Sequence, residues 1–233
     1  MKWWASAASE TQITHGQRLW LYCLAVIIMC LLVIPTVIVA PMSFSDSQYL
    51  EFPPQTWSLR WYHEYLDTPR WMNATVTSFK VASLTMLVAT PFGTMAAYGL
   101  FVSGSRLGKM VFFMLMTPMI VPVILIAIGT FYVFGKLGLV NSILGLVLAH
   151  TGLSVPIVMI IITAALRTYD LNQERVAQSL GSTRLRAFFE ITLPQLKFSI
   201  LTAALLAFLT SFDEVIISIF LSGGGNSTLT KQM

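Results

Sequence analysis

Five long apolar stretches, separated by short polar segments, set the plan of this chain. They cover residues 19–40, 74–102, 110–135, 143–166 and 198–221. Each reaches the roughly 20 residues that an α-helix needs to cross the hydrocarbon core of a bilayer. A helix satisfies its backbone polar groups internally where no water is available, so the pattern predicts an all-α polytopic membrane protein. The first stretch, "LWLYCLAVIIMCLLVIPTVIVA", carries no charge and runs into Pro41. It exceeds the roughly 7–15 apolar residues of a signal peptide and reads as a retained anchor.

Composition strengthens the membrane reading. The 233 residues are 56% hydrophobic and only 10% charged, against about 25% charged in soluble domains. The net charge of +4 does not point to nucleic acid, because the basic residues flank the spans, where they set orientation. With the N-terminus inside, the cytoplasmic segments hold nine Lys and Arg (Lys2, Arg18, Arg106, Lys109, Arg167, Arg175, Arg184, Arg186, Lys197), and the outer segments hold Arg60, Arg70, Lys136 and Lys231. This places the N-terminus in the cytoplasm. The aromatic segment "TWSLRWYHEYL" in the first outer loop suits an interfacial helix. Cys23 and Cys30 share one helix about 10 Å apart along its axis, too far for a disulfide.

Within the second stretch Ala89, Gly93 and Ala97 recur every fourth residue, a spacing that lets helices approach closely in lipid, within the chain or at a subunit seam. Pro91, Pro118, Pro122 and Pro156 fall inside spans and predict kinks. The tail "SGGGNSTLTKQM" reads as a polar loop without an anchoring helix.

The longest cytoplasmic loop, residues 167–197, reads as two short helices. Asp170 or Asn172 is placed to cap the first, Gly181 to end it, Ser182 to cap the second and Pro194 to close it. Val176 and Leu180 share a face of the first helix, while Leu185, Phe188 and Phe189 give the second an apolar face. Such a pair fits a partner's groove, its own spans, or the headgroup region.

This loop resembles the EAA motif of ABC-importer permeases: a Glu-Ala-Ala start, a glycine, and an Ile-x-Leu-Pro end. Gly181, Ile191, Leu193 and Pro194 stand at the required spacing, and the triplet falls on Arg175, Val176 and Ala177, with Glu174 one position before it. The "SFKVASLTMLVATPFGTMAAYGL" and "SFDEVIISIFLSG" segments extend the resemblance to the second permease of polyamine (spermidine/putrescine) importers. The resemblance implies a type I ABC-importer permease fold, a single permease domain over residues 1–233 in the bacterial inner membrane. Five spans are visible, and the usual sixth is missing. It also implies partners: a second permease, two ATPase subunits and a periplasmic binding protein. Glu174, Arg175, Val176, Ala177, Leu180, Gly181, Ser182, Phe188, Phe189, Ile191, Leu193 and Pro194 would then form the ATPase-coupling loop. The chain has no phosphate-binding loop of its own, since "SGSRLGK" has the wrong spacing. ATP and Mg are therefore expected on the partner subunits, with neither catalytic residues, metal nor cofactor on this chain.

Asp213 and Glu214 interrupt the last stretch. Asp213 lies about 22 Å along a helix from Phe198, and acids at such depth mark substrate or ion paths or pair with a neighbouring helix. Thr210, Glu214 and Ser218 recur every fourth residue as a polar stripe suited to a protonated amine, with Lys80 an alternative ion-pair partner. His150, inside the fourth stretch, reads as a helix–helix hydrogen-bond partner. Tyr98, Tyr132 and Tyr169 read as packing residues or amine-stacking faces. The function expected is import of a small organic cation, with polyamine first and another solute, such as an aminophosphonate or opine, second. A proton-driven transporter using the two acids is the alternative from another class; internal repeats, which would favour it, are absent.

Overall fold

The computed structural model describes residues 14–233, and the chain divides into two compact units, Met1–Thr68 and Pro69–Met233. In the first, α1 (Leu19–Met42) is apolar on every side, as a helix solvated by lipid must be. The following loop closes on itself through an isolated bridge between Ser45 and Trp57. It leads to α2 (Arg60–Asp67), so part of the aromatic segment is helical. Tyr62 donates to Ser43 Oγ at 2.8 Å, and Trp61 Nε1 donates to the Ser47 carbonyl at 3.1 Å.

The second unit holds α3 (Pro69–Ser103), α4 (Arg106–Ile120), α5 (Val123–Leu137), α6 (Ile143–Leu166), α7 (Asn172–Ser179), α8 (Arg184–Ala187), α9 (Leu193–Gln195), α10 (Lys197–Phe212), α11 (Ile216–Leu221) and α12 (Leu229–Gln232). α6 is the axis of this unit, packed against α3 and α10 and burying Leu146, Val158, Met159 and Ile162 completely. Ala89, Gly93 and Ala97 all face inward. A Cβ on Gly93 would stand 2.7 Å from Val158, so the small-residue row serves the α3–α6 contact within the chain. His150 Nδ1 lies 2.8 Å from Ser211 Oγ, tying α6 to α10.

Two apolar stretches are not the continuous helices expected. The third is a pair, α4 and α5, bent by 101°. Pro122 forces Val121, the residue before it, into extended geometry (φ −77°, ψ 132°). The fifth breaks between α10 and α11. In an unbroken helix the Ile217 amide would donate to the Asp213 carbonyl; instead it donates to Glu214 Oε1 at 3.1 Å, so a side chain supplies the cap that starts α11. The second span also begins earlier than its apolar run, at Pro69 rather than Ala74.

The tail is anchored, contrary to the open loop its polarity predicts. The Leu229 amide donates to Ser78 Oγ at 2.8 Å, Thr230 Oγ1 donates to the Glu214 carbonyl at 3.1 Å, Lys231 Nζ reaches the Ser222 carbonyl, and Arg70 reaches Gln232. The Asn141 amide donates to the Leu221 carbonyl at 2.8 Å, and Asn226 Nδ2 donates to the Asn141 carbonyl at 2.7 Å. One end of the unit thus gathers the start of α3, the α5–α6 turn and the tail. The opposite end gathers the end of α3 and the 167–197 loop.

Candidate functional site

The 167–197 loop is built on a buried carboxyl. Glu174, in the first turn of α7, is only 3% exposed, and its side-chain hydrogen-bond partners among the described residues are hydroxyls. Tyr98 OH donates to Oε2 at 2.6 Å, and Thr192 Oγ1 donates to Oε1. Tyr169 OH lies 2.9 Å from Thr192 Oγ1 and 3.5 Å from Glu174 Oε1. Since Thr192 has a single proton and gives it to Glu174, Tyr169 must be the donor to Thr192. Burial first, and then the negative charge of Glu174, raise the Tyr169 phenol above its ordinary pKa, so it keeps the proton it donates. A buried carboxylate without such donors would be prohibitive. Here the cost is met by three elements at once: the end of α3, the α6–α7 turn, and a π-helical turn at Phe188–Thr192.

The ring of Tyr98 also packs on Phe188, with centroids 4.5 Å apart. The same side chain therefore holds the loop by its face and by its hydroxyl. Phe188 is buried, as an anchor must be, whereas Val176, Leu180, Leu185 and Phe189 stay exposed, with Leu180 at 85% and Leu185 at 73%. The two apolar faces expected from the sequence therefore split into an inward anchor and an outward ridge.

Local chemistry fixes the turn between α7 and α8. Gly181 has φ +93°; its amide donates to the Gln178 carbonyl at 3.0 Å, and the Ser182 amide donates to the Ala177 carbonyl at 3.0 Å. These two bonds form a Schellman motif with glycine at the left-handed position. Asp170 Oδ1 accepts from the Asn172 amide at 3.0 Å, which starts α7. The cap of α8 is Thr183, not Ser182: Thr183 Oγ1 accepts from the Arg186 amide at 3.3 Å. Pro194 does not close the second helix either. It lies in α9, and the chain turns by 76° only beyond it, between Gln195 and Lys197. The guanidinium of Arg175, which takes the place of the motif's leading glutamate, donates to Asn172 Oδ1 at 3.3 Å.

The acidic pair sits at the α10–α11 break. Asp213 is exposed and its carboxylate makes no hydrogen bond or ion pair among the described residues, whereas Glu214 is half-buried with Oε1 engaged by Ile217. Lys80 pairs with neither acid; the ion pairs among the described residues are Arg60–Asp46 and Arg186–Glu190. Because residues 213–215 leave the helix, Thr210, Glu214 and Ser218 do not form one helical stripe. Thr210 bonds back to the Leu206 carbonyl at 2.8 Å, and Ser218 is fully buried. The rings of Phe79, Phe208 and Phe212, the last next to Asp213 in the chain, make a cluster, with Phe79 edge-on to Phe212 at 5.0 Å. Tyr132 meets a cation, Lys136 Nζ at 4.4 Å from its ring.

Sequence reasoning missed Tyr98 and Thr192 as part of the loop. They stand 76 positions before and 18 positions after Glu174, and no local periodicity links them. The one available signal is Tyr98 itself, an aromatic with a polar tip near the end of a span.

The family described as "Binding-protein-dependent transport system inner membrane component" matches residues 89–232. The putrescine transport system permease protein PotI of Escherichia coli (strain K12) is 34% identical over 180 residues, which cover 74% of this chain and 64% of PotI. The spermidine/putrescine transport system permease protein PotC of Haemophilus influenzae is 27% identical over 198 residues, covering 84% of this chain and 76% of PotC. The chain thus spans just under two thirds of PotI's length. A chain of a bacterial ABC transporter involved in the import of the acidic polysaccharide alginate superimposes with a TM-score of 0.72 at 14% identity, covering 97% of this chain and 80% of that one; this is a likeness of fold. With well over half of its residues matched, the chain belongs to the family of binding-protein-dependent transport system inner membrane components, the permeases of ABC importers.

Proposed function

We propose that the chain is a permease subunit of an ATP-driven importer for a small organic cation of the polyamine class. In this reading it pairs with a second permease, receives substrate from a periplasmic binding protein, and seats the 167–197 loop on ATPase subunits that hydrolyse ATP with Mg. The observation that carries the coupling role is the exposed apolar ridge of Val176, Leu180, Leu185 and Phe189 on a loop clamped from behind at Glu174 and Phe188. Exposed leucines on a rigid base are an interface waiting for a groove. The clamp lets a push on the ridge reach α3 and α10 instead of being absorbed by a flexible loop.

The substrate class draws on two supports. The relatives are named for putrescine and spermidine transport. An exposed carboxylate such as Asp213 attracts a protonated amine by charge.

The decisive experiment co-expresses the chain with its transporter partners and replaces Leu180 and Leu185 by Glu. Two buried interface leucines contribute roughly 3 kcal/mol together, so the double variant should insert normally yet lose co-purification with the ATPase and ATP-dependent uptake of labelled putrescine into vesicles. Unchanged co-purification would remove the coupling assignment. Uptake driven by a proton gradient without ATP would favour the secondary-transporter reading.

A further inference from the structure

At the end of the second unit that carries the loop, α3, α4 and α6 splay apart around a cavity of about 230 Å³. Its walls are apolar, with Phe101, Phe112 and Phe113 among them, and two cations, Lys109 and Arg167, line the same space. No carboxylate is among the lining residues. Neither cation makes an ion pair or a side-chain hydrogen bond among the described residues. Both sit at span ends, Lys109 in the first turn of α4 and Arg167 directly after α6. On α4, Met110 and Phe113 are exposed.

A span-end cavity with cations and apolar walls has an amphiphilic character. A soluble anion would use the cations and leave the phenylalanine walls in contact with water. Simple orientation by positive charge needs basic residues but no cavity. A ligand with a phosphate head and hydrocarbon tails uses both, and basic pockets between membrane helices take such headgroups. Arg167 offers a planar fork for phosphate oxygens and Lys109 a point charge.

We propose that this cavity binds an anionic phospholipid, its phosphate held between Lys109 and Arg167 and its acyl chains lying along the Phe112 and Phe113 side of α4. Because Arg167 leads directly into the turn before α7, the bound lipid would brace the point where α6 hands over to the loop. The site depends only on the chain lying in a membrane, not on the solute transported or the ATPase partner.

The test is native mass spectrometry of the purified full chain with dioleoylphosphatidylglycerol, dioleoylphosphatidylcholine or inorganic phosphate added. The wild type should retain phosphatidylglycerol in preference to phosphatidylcholine, and excess inorganic phosphate should not displace it. The Lys109→Gln/Arg167→Gln double variant should bind phosphatidylglycerol at least about tenfold more weakly. The charge-retaining Lys109→Arg/Arg167→Lys variant should bind it more tightly than the Gln variant, which separates lost charge from lost folding. Equal retention of the two lipids, unchanged binding by the Gln variant, or displacement by inorganic phosphate would each overturn the proposal.

Discussion

Glu214 commits one carboxylate oxygen to the Ile217 amide, whereas Asp213, one residue earlier, is exposed and bonded to no side chain or backbone donor among the described residues. The two acids are therefore separable by substitution. Glu214→Gln keeps an acceptor oxygen for the Ile217 amide and should leave the α10–α11 break intact. Glu214→Ala removes the cap and should cost about 1 kcal/mol of stability. Asp213→Asn changes charge with almost no change in shape. If Asp213 faces the path of a dication, this variant should raise the KM for putrescine uptake about tenfold, the equivalent of ~1.4 kcal/mol, while the thermal unfolding midpoint stays put. A KM unchanged in Asp213→Asn would assign the residue to the helix break alone.

At the scale of elements, the 167–197 loop is a hairpin of helices pinned to α3 through Tyr98. Tyr98→Phe keeps the ring on Phe188 but removes the hydroxyl that donates to Glu174. A hydrogen bond to a charged group is worth roughly 1.5–3 kcal/mol, so amide hydrogen exchange in α7 should quicken by at least about tenfold, with α6 unaffected. Exchange in α7 that matches the wild type would mean that Thr192 and Tyr169 carry the clamp without it. The sequence disclosed the parts of this loop that local chemistry decides. Gly181 ends α7 because only a glycine sits easily at its positive φ, and Asp170 starts it by an Asx turn. The move of the second cap from Ser182 to Thr183 is a one-residue shift between two adjacent hydroxyls, within the usual blur of helix ends. What stayed hidden was non-local. Pro122 announced a kink in residues 110–135, but nothing local gave its size, a 101° bend that splits the stretch into two helices. Fourfold spacing from Thr210 to Ser218 looked like a stripe because nothing local announced that Glu214 would cap a new helix. The tail's polarity likewise concealed that Ser78 and Glu214 would hold it in place.

The second unit as a whole has two chemically distinct ends, and their difference predicts how it sits in the bilayer. The end with the 167–197 loop carries Arg106, Lys109, Arg167, Arg175, Arg184, Arg186 and Lys197, and the end with the α5–α6 turn and the tail carries Arg70, Lys136 and Lys231. Basic residues near span ends are retained on the cytoplasmic side. The path is consistent within the unit: α3 runs toward the loop end, the bent α4–α5 pair returns, α6 runs back, and α10 with α11 returns again, where the Asn141 amide meets the Leu221 carbonyl. Sided labelling reads this directly. With Cys23 and Cys30 replaced by Ser, Gly225→Cys places a thiol on the exposed tail, where a new Cβ meets nothing within 4 Å. Gln178→Cys places one on the exposed surface of α7. A membrane-impermeant maleimide should label Gly225→Cys in intact spheroplasts and Gln178→Cys only after permeabilisation. The reverse pattern would put the apolar ridge of the loop outside the cell, away from any ATP, and the coupling role would fall with the orientation.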